Sequence, residues 1–265
     1  MRHLLPWLQR RCDVVGVVFD EDEDLAETEA ELALVFGGDG AILHAVRRLG
    51  NDPVPILGVN FGKLGFLTEL SHPGIRSDIE SVLAGDYEVV ELMRLQFEIR
   101  RGSRRVGSGL AVNEVNVLRG ATRMIRLDLE YNEEPVASYF ADGLIMATPV
   151  GSTAYSMAAG GPIIHSSMEA IAVTPICPHT LTVRPLVVSS GGKIVVKIDD
   201  ASEGANVIND GQDVHEARSG DEVHVQNASS PFRLAHLGKR TYFETLRTKL
   251  YWGARGTAGD EPAPR

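Results

Sequence analysis

Apolar positions follow two different rhythms along the chain, and the change falls near residue 88. Before it, short apolar runs that predict buried strands alternate with stretches of helical spacing that end at glycines. The predicted strands are 13–19, 32–36 and 54–60, and the predicted helices are 4–11, 41–50 and 75–86. This alternation is typical of βα units, so we predict an α/β domain with a parallel, Rossmann-like sheet for residues 1–88.

After residue 88 the pattern becomes a series of short β-like runs with turns between them. Glycine-containing turns at 191–192, 210–211 and 219–221 separate several of these runs. We therefore predict a β-rich, largely antiparallel domain for residues 89–237. The predicted runs lie within 87–102, 110–118, 124–132, 180–188, 193–199 and 222–226.

The last part of the chain returns to a helical pattern. Residues 241–252 are amphipathic, and the following stretch of glycine, proline and charged residues is typical of a frayed tail. We predict that residues 238–265 join the first domain through this helix, because a cleft between two domains needs support at both ends.

Composition excludes some classes of protein. The chain has 265 residues, 43% of them hydrophobic, and a net charge of −10 that is concentrated in the acidic run 20–31. An acidic chain without a basic stripe argues against nucleic acid as a partner. We find no long apolar run and no secretory signal, and two distant cysteines do not indicate a disulfide framework. The sequence therefore predicts a cytoplasmic protein that does not bind a membrane.

The first candidate site is the glycine hinge at 37–40, where a predicted strand meets a predicted helix. Glycines let the backbone turn there, and helix N-termini favour anions, so a phosphate chain can lie against this hinge. Asp39 would repel phosphate, so its presence indicates a second purpose. It can accept a proton from an attacking hydroxyl or help to hold Mg²⁺; alternatively, it simply caps the following helix.

The second candidate site is the block 142–164, which combines small residues with uncharged donors and acceptors. Ser152, Thr153, Tyr155 and Ser156 offer hydroxyl groups beside an alanine-glycine stretch that allows close approach. This composition suits a neutral polar group such as a nucleobase or ribose. A serine- and threonine-rich loop that caps a helix remains the alternative.

Together these stretches resemble the NAD kinase family, which shares its glycine loop with diacylglycerol kinases. The similar stretches are 37–40, 58–70, 113–115, 142–164 and 178–188, and the long block 142–164 is the most specific. The resemblance implies an α/β domain joined to a β-rich domain. It also implies transfer of a phosphoryl group from ATP, or from polyphosphate, to the 2′-hydroxyl of the adenosine ribose of NAD, which gives NADP.

By the same resemblance, Asp39 is the general base and Gly40 is its neighbour in the site. The residues that the resemblance places at the nucleotide are Asn113, Glu114, Asp142, Thr153, Ala154, Tyr155, Ser156, Met157, Ala158, Cys177 and Gln212. His44 and Arg123 are further candidates because each could reach a phosphate. Without the resemblance, Asn113 and Glu114 would read as polar residues of an edge strand, and His44 as part of a solvated helix face.

The resemblance also implies cofactors and partners. A divalent metal, Mg²⁺ or Mn²⁺, would be held mainly by the nucleotide phosphates, and the protein would assemble as a homodimer or homotetramer. Two departures from the family stand out. The chain opens within the predicted first helix, which leaves one sheet edge in question, and Phe140 stands where many relatives carry a basic or polar residue.

Two rival functions follow from the same residues. A lipid kinase of the diacylglycerol type shares the glycine loop but would need an apolar or basic surface for the membrane. A dinucleotide-binding sensor would keep the pocket and lack turnover, and an intact Asp39 argues against it.

Overall fold

The computed structural model describes residues 4–19, 25, 29–51, 54–60, 62, 65–71 and 74–252. The helices of this part are α1 (Leu5–Leu8), α2 (Asp39–Leu49), α3 (Ile75–Leu83), α4 (Tyr155–Ala158) and α5 (Tyr242–Leu250). The strands are β1 (Ala33–Phe36), β2 (Ile56–Asn60), β3 (Thr68–Ser71), β4 (Glu88–Leu92), β5 (Leu95–Arg101), β6 (Arg104–Ala111), β7 (Glu114–Arg119), β8 (Ile125–Tyr131), β9 (Glu134–Ala141), β10 (Gly143–Ala147), β11 (Ala170–Ile176), β12 (Leu186–Ser189), β13 (Ile194–Asp200), β14 (Ala205–Asn209), β15 (Asp213–Ala217), β16 (Asp221–Asn227) and β17 (Phe232–His236).

The first sheet is mostly parallel, as the alternation of strands and helices predicts. β2 pairs in parallel with β1, β3 and β17, and β17 pairs antiparallel with β4. All five residues of β2 are buried, which is the expected state of a central strand covered on both faces. The Rossmann-like interpretation of this part is therefore confirmed, with one antiparallel strand added.

Helices cover both faces of this sheet. On one face, α2 packs Ile42, Val46 and Leu49 against Ile56 of β2. On the other face, α1 and α3 form a second buried cluster with Leu57 and Val59. Because successive side chains of a strand point to opposite faces, β2 contributes alternately to the two clusters.

The β-rich part consists of two six-stranded antiparallel sheets. Their strand orders are β12-β11-β10-β7-β14-β15 and β6-β5-β16-β13-β8-β9. One large buried cluster draws side chains from both sheets, for example Val117 of β7 and Val196 of β13, each with no exposed area. The two sheets therefore share a single core, and the prediction of an antiparallel β-rich region is confirmed.

One predicted strand is wrong, and another is shorter than predicted. Residues 13–19 form no strand and pair with none in the described part of the chain, and Val15 and Phe19 are exposed at 60% and 76%. A strand needs a hydrogen-bonding neighbour as well as an apolar sequence, so the apolar run alone misled the prediction. In the run 180–188, only residues from Leu186 onward form a strand, β12.

The chain crosses between the two parts near the predicted boundaries at 88/89 and 237/238. β4 and β17, most of whose residues were assigned to the β-rich part, belong to the first sheet. The chain thus leaves this sheet after Leu92 and re-enters it at Phe232, while the division into two domains stays a prediction. The acidic run 20–31, for the most part, and the tail 253–265 lie outside the described residues.

The C-terminal helix α5 is confirmed and contacts both parts. Lys249 lies over the ring of Phe66, at 5.8 Å from its centroid, and the Tyr242 hydroxyl donates to the carbonyl of Ile164. The helices within the described residues all fall short of the length and apolar character that a bilayer crossing requires.

A buried arginine ties together the chain at this crossing. Arg94 is 3% exposed; its Nε donates to the carbonyl of Ser230 at 2.9 Å and its Nη1 to the carbonyl of Gly50 at 2.8 Å. Gly50 ends α2, and Ser230 precedes β17, so one guanidinium joins two elements of the first part to the start of β5. Burial lowers the pKa of Arg94, and the charge of Asp210 opposes this effect.

We expect Arg94→Lys to lower the free energy of unfolding by about 1–3 kcal/mol, because an ammonium cannot reproduce the two-armed contact of the guanidinium. Urea denaturation followed by circular dichroism measures the change. Arg233→Lys is the matched control, since Arg233 is partly exposed and pairs only with Glu91 at the surface. Equal stability of the two variants would contradict the role given to Arg94.

Candidate functional site

Asp39 stands in the first turn of α2, where the first sheet meets the helix. Its Oδ2 accepts from the amide of Phe66 at 2.8 Å, and its Oδ1 accepts from the amide of Leu67 at 3.0 Å. Each carboxylate oxygen keeps a second lone pair for another partner. The carboxylate is thus held in a fixed orientation by backbone donors of the segment that leads into β3.

Helix capping does not explain Asp39. The N-cap of α2 is Gly38, which has no side chain to cap with, and Asp39 is already inside the helix. Its negative charge suits the first turn, where the helix dipole is positive. The alternative that Asp39 serves as the cap is therefore wrong.

Glycines around Asp39 leave space that a side chain would fill. A Cβ at Gly65 would lie 1.8 Å from Asp39 Oδ1, so only glycine lets the segment approach the carboxylate. A Cβ at Gly38 or Gly40 would meet nothing within 4 Å. The hinge is therefore closed toward residue 65 and open on the side of Gly38 and Gly40.

A turn of the β-rich part reaches this hinge. In the turn between β14 and β15, Asp210 and Gly211 both adopt positive φ, at 50° and 67°. The side chain of Gln212 then donates from Nε2 to the carbonyl of Gly40 at 3.4 Å, and Asp213 pairs with Arg47 of α2. These contacts bring the sequence-predicted residues Gln212 and Gly40 together beside Asp39.

Asp210 fixes the Asn113–Glu114 pair to the same turn. Its carboxylate accepts from the amides of Val112, Asn113 and Glu114, at 2.8, 2.7 and 3.1 Å. Its own amide donates to the carbonyl of Glu114 at 3.0 Å. Burial raises the pKa of Asp210, and the three amide hydrogen bonds oppose that shift. Asn113 and Glu114 thus lie at the end of β7 that faces the hinge.

Glu114 is a buried acid, contrary to its reading as an edge-strand surface residue. It is 5% exposed, and its Oε2 has no hydrogen-bond partner among the described residues. Burial, reinforced by the charge of Asp210, raises the pKa of Glu114 to about 8, against a lowering by a hydrogen bond with Asn116. At neutral pH this carboxyl carries its proton and can donate one hydrogen bond.

His44 lies one turn beyond Gly40 on the same face of α2. Its ring is half-buried, and its Nδ1 is buried without a hydrogen-bond partner among the described residues. Residues four apart on a helix are neighbours, so His44 is next to the carbonyl that Gln212 reaches. This environment does not match the solvated helix face that was its alternative.

The block 142–164 forms β10 and then a tight loop against Asn113. The Thr148 amide donates to the Asn113 carbonyl at 2.8 Å, and its hydroxyl donates to the Val112 carbonyl at 2.6 Å. A Cβ at Gly151 would lie 2.0 Å from that same Asn113 carbonyl, so the loop packs here only with glycine. The two sequence-predicted stretches therefore share one end of the sheet.

The side chains of this loop divide into supports and outward-facing groups. Ser152 and Ser156 have no exposed area; the Ser152 hydroxyl contacts Ile164, and the Ser156 hydroxyl lies 2.9 Å from that of Thr174. Ser156 is thus placed as a support beneath the loop, where it has no open face for a ligand. The outward-facing members are Thr153, Ala154, Tyr155, Met157 and Ala158.

Three other predicted residues lie at the opposite end of the same strands. Asp142 precedes β10 and pairs with Arg119 at 2.8 Å, and Cys177 follows β11, which pairs with β10 at that end. Arg123 pairs with Glu203 in the next turn. Glu114 and Arg119 are the two ends of β7, five residue steps or about 17 Å apart. One chain therefore does not bring these three residues to Asp39.

Phe140, the departure from the family pattern, lies at this second end as well. It is 46% exposed, and its ring is 5.9 Å from that of His179. It packs against an aromatic neighbour. Among the described residues, no contact supplies a cation in place of the basic or polar side chain that many relatives carry at this position.

Sequence reasoning missed Asp210, Thr148 and Gly151. The pair at 210–211 was read only as a turn signal, although an aspartate in such a turn has a carboxylate free to bind nearby amides. Thr148 and Gly151 lie inside a block already singled out, but their contacts with Asn113 span 35 and 38 residues of sequence. Such a pairing becomes visible only once the strand register is known.

Within the described part of the chain, no three histidine, cysteine, aspartate or glutamate side chains form a metal-binding cluster. The Asp39 carboxylate is held by the Phe66 and Leu67 amides and keeps free lone pairs that could bind a cation carried by a ligand.

Comparison with known proteins identifies the same two parts. Residues 10–87 match the ATP-NAD kinase N-terminal domain family, and residues 112–237 match the ATP-NAD kinase C-terminal domain family. The chain is 44% identical over 227 residues to the NAD kinase of Geobacter sulfurreducens, covering 85% of this chain and 80% of that protein. It is 42% identical over 233 residues to the NAD kinase of Thiobacillus denitrificans, covering 88% and 80%.

Two solved structures share the fold. Yeast NADH kinase complexed with NADH has a TM-score of 0.77 and 29% identity, covering 89% of this chain and 69% of that one. An NAD kinase from Archaeoglobus fulgidus in complex with ATP has a TM-score of 0.71 and 29% identity, covering 83% of each chain. With its two characteristic domains and its glycine hinge in place, this chain belongs to the NAD kinase family.

Proposed function

We propose that the protein phosphorylates the 2′-hydroxyl of the adenosine ribose of NAD, with ATP or polyphosphate as donor, and that the hinge at Asp39 is the reaction site. The observation that carries this assignment is the contact between the turn 209–213 and the first turn of α2. It brings Gln212 to Gly40, the neighbour of Asp39 in the hinge, from the turn whose Asp210 carboxylate also binds the amides of Asn113 and Glu114.

The chemistry follows from the orientation of Asp39. The ribose oxygen forms a bond to the terminal phosphorus of the donor as the bond from that phosphorus to its bridging oxygen breaks. The hydroxyl proton passes to a free lone pair of the Asp39 carboxylate. Because the Phe66 and Leu67 amides fix this carboxylate, it needs little reorganisation when the hydroxyl arrives.

The remaining groups supply binding. The open side at Gly38 and Gly40, at the N-terminus of α2, suits phosphate, and His44 can add a donor there. A divalent metal carried by the phosphates would neutralise their charge. Glu114, protonated and buried, offers a hydrogen bond to a ribose or base acceptor, and Asn113 offers an amide beside it.

The relatives bear on the rival functions. The solved structures that share the fold contain NADH or ATP, and the curated relatives are NAD kinases, which favours a dinucleotide over a lipid as acceptor. The sensor alternative differs from the proposal in turnover alone, so an activity assay separates them. Two free cysteines, Cys12 and Cys177, support our proposal of a cytoplasmic location.

Asp39→Asn should keep NAD binding and lose about 10²- to 10⁴-fold in turnover, because the amide cannot accept the proton. NADP formation measures turnover, and titration calorimetry measures NAD affinity. Asp128→Asn is the control, since Asp128 bonds only to Ser138 on the surface of β8. Retention of near wild-type turnover by Asp39→Asn would remove the general base from the mechanism, and wild type that binds NAD without forming NADP would favour the sensor.

The raised pKa of Glu114 predicts that the free energy of unfolding depends on pH. Its folded pKa of about 8 lies above its ordinary value, so between about pH 5 and 8 the folded chain keeps a proton that the unfolded chain loses. The stability that this retained proton contributes to the fold is fully present below about pH 4.5, and it is lost as the pH rises through 8. The free energy of unfolding should therefore fall by up to about 1.4 kcal/mol per pH unit from this group.

The test compares urea denaturation of wild type and Glu114→Gln from pH 5 to 8. The glutamine variant should show a flatter profile, because it has no proton to retain. Glu134→Gln, at an exposed position of β9, should keep the wild-type slope. Parallel profiles for wild type and Glu114→Gln would contradict the buried, protonated state.

We also propose that the protein forms a homodimer or homotetramer through the edge strand β12. β12 is the last strand of its sheet, and Leu186 and Val187 are 36% and 44% exposed. Leu181, in the preceding loop, is 89% exposed and extends the apolar surface. An open apolar edge of this kind favours pairing with a second copy. Assembly could also supply Asp142 or Cys177 to a neighbouring site.

Val187→Lys should convert the assembled protein into monomers, because a charge on this edge would be buried by pairing. Light scattering coupled to size-exclusion chromatography measures the mass. Val136→Lys, at a 40% exposed position of β9 in the other sheet, is the control. A wild-type monomer, or a Val187→Lys oligomer, would move the interface away from β12.

A further inference from the structure

Helix α5 is anchored against the loop of the β-rich part by one tyrosine. The helix begins with a complete capping box between Thr241 and Glu244, and Leu246 on its inner face is 2% exposed. Tyr242, its first residue, directs its hydroxyl to the carbonyl of Ile164 at 3.1 Å. Burial raises the pKa of this hydroxyl, so it remains a donor over the ordinary pH range.

The ring of Tyr242 is fixed as well as its hydroxyl. It meets the imidazole of His165 edge to face at 4.5 Å and the ring of Phe243 at 5.6 Å. The imidazole of His165 bonds in turn to the hydroxyl of Ser167 at 2.8 Å. Tyr242 is therefore a rigid element, and the position of its hydroxyl is set independently of the hydrogen bond that it makes.

Ile164 connects Tyr242 to Ser152, a buried residue of the loop 151–158. Its amide donates to the Ser152 hydroxyl at 2.9 Å, and that hydroxyl lies 2.6 Å from the Pro149 carbonyl and 3.2 Å from the Ile164 carbonyl. Ser152 and Ile164 are 0% and 4% exposed. The one proton of the Ser152 hydroxyl lies closest to the Pro149 carbonyl, so Ser152 holds Ile164 mainly by accepting from its amide, while Tyr242 donates to the Ile164 carbonyl.

We propose that Tyr242 is a positioning residue that holds the loop 151–158 in its binding geometry through Ile164 and Ser152. The inference rests on the proposed function, in which the outward face of this loop contacts NAD. It gives α5 a role in binding, which nothing in the resemblance assigns to it. The hydroxyl acts at a distance, because Tyr242 supports the rear of the loop and Thr153 to Ala158 line its front.

The effect should appear in substrate binding rather than in chemistry. Asp39 is held by the amides of Phe66 and Leu67, a different segment that Tyr242 does not contact through any hydrogen bond described here. Loss of one hydrogen bond to the loop therefore loosens the NAD-binding face and leaves the general base in place. A net hydrogen bond corresponds to about a three- to tenfold change in an equilibrium.

The experiment is Tyr242→Phe, which removes the hydroxyl and keeps the ring. We expect KM for NAD to rise about three- to tenfold with kcat changed less than twofold. Tyr251→Phe is the matched control: it makes the same chemical change at the end of α5, where the side chain is 71% exposed. Its KM should equal that of wild type.

A double-mutant cycle tests the route through Ser152. If both hydroxyls act on Ile164, the combined variant Ser152→Ala/Tyr242→Phe should raise KM by less than the product of the two single effects. An unchanged KM for Tyr242→Phe, a loss confined to kcat, or effects that multiply exactly would overturn the proposal.

Hydrogen exchange separates this proposal from the proposed function. Amides of residues 152–164 should exchange faster in Tyr242→Phe than in wild type, with or without turnover, and Tyr251→Phe should not differ from wild type. Wild type that forms no NADP would overturn the proposed function while this readout still decides the role of Tyr242. Unchanged exchange in the loop would overturn the positioning role even in an active enzyme.

Discussion

The candidate site depends on one carboxylate, that of Asp210, which bonds to three successive backbone amides. These amides belong to the residues that lead into β7, whereas Asp210 stands in the turn between β14 and β15. The bond therefore fixes the end of one strand to the turn of its neighbour. From that turn Gln212 reaches the first turn of α2, and Val112, held by the same carboxylate, packs among the apolar residues of α2. This contact sets the position of the turn from which Gln212 reaches α2, and it acts alongside the Arg47–Asp213 pair and the hydrogen bonds of Arg94.

The acidic side chains of the site are stabilised in two ways. Asp39 and Asp210 are both solvated by backbone amides, which supply partial positive charge in a fixed direction and need no cationic side chain. Glu114 has no such donors at its Oε2 and stays protonated instead. Glu114 and Asp210 thus lie side by side without two full charges, and the charge of Arg94, whose guanidinium bonds to the Gly50 and Ser230 carbonyls, also acts on Asp210.

The sequence predicts the frame where the elements carry a local signal: α1, α2, α3 and α5 were predicted, whereas α4 and strands such as β9, β11 and β15 were not. α2 has its glycine boundaries, its apolar spacing and its arginines in the last turn, and it forms almost where the pattern places it. The hinge at Asp39 was likewise visible from the glycines around it. The apolar run 13–19 shows the limit of this reasoning, because pairing depends on a neighbouring strand that no local pattern reveals.

Which residues form the site was only partly predictable from the sequence, because the site is assembled by contacts between residues that lie far apart along the chain. The resemblance grouped Asp142 and Cys177 with Glu114, and Arg123 was a further candidate for phosphate, but the strand register places these three residues at the opposite end of β7 and its neighbours from Glu114. In the other direction, Asp210 looked like an ordinary turn residue, and its function in the fold appears only when residues 112–114 come within reach. Ser156 had the right chemistry for a ligand contact but points into the protein.

The position of β17 in the first sheet imposes an order on how the chain folds during synthesis. β17 lies between β2 and β4 in the first sheet, yet it is made after every strand of the β-rich part. During synthesis on the ribosome, some 140 residues are therefore added after β4 before β17, the strand with which β4 pairs, is made. The intervening sandwich can collapse meanwhile as a separate unit, and the long loop closed at the end makes completion of the first sheet a late and slow event.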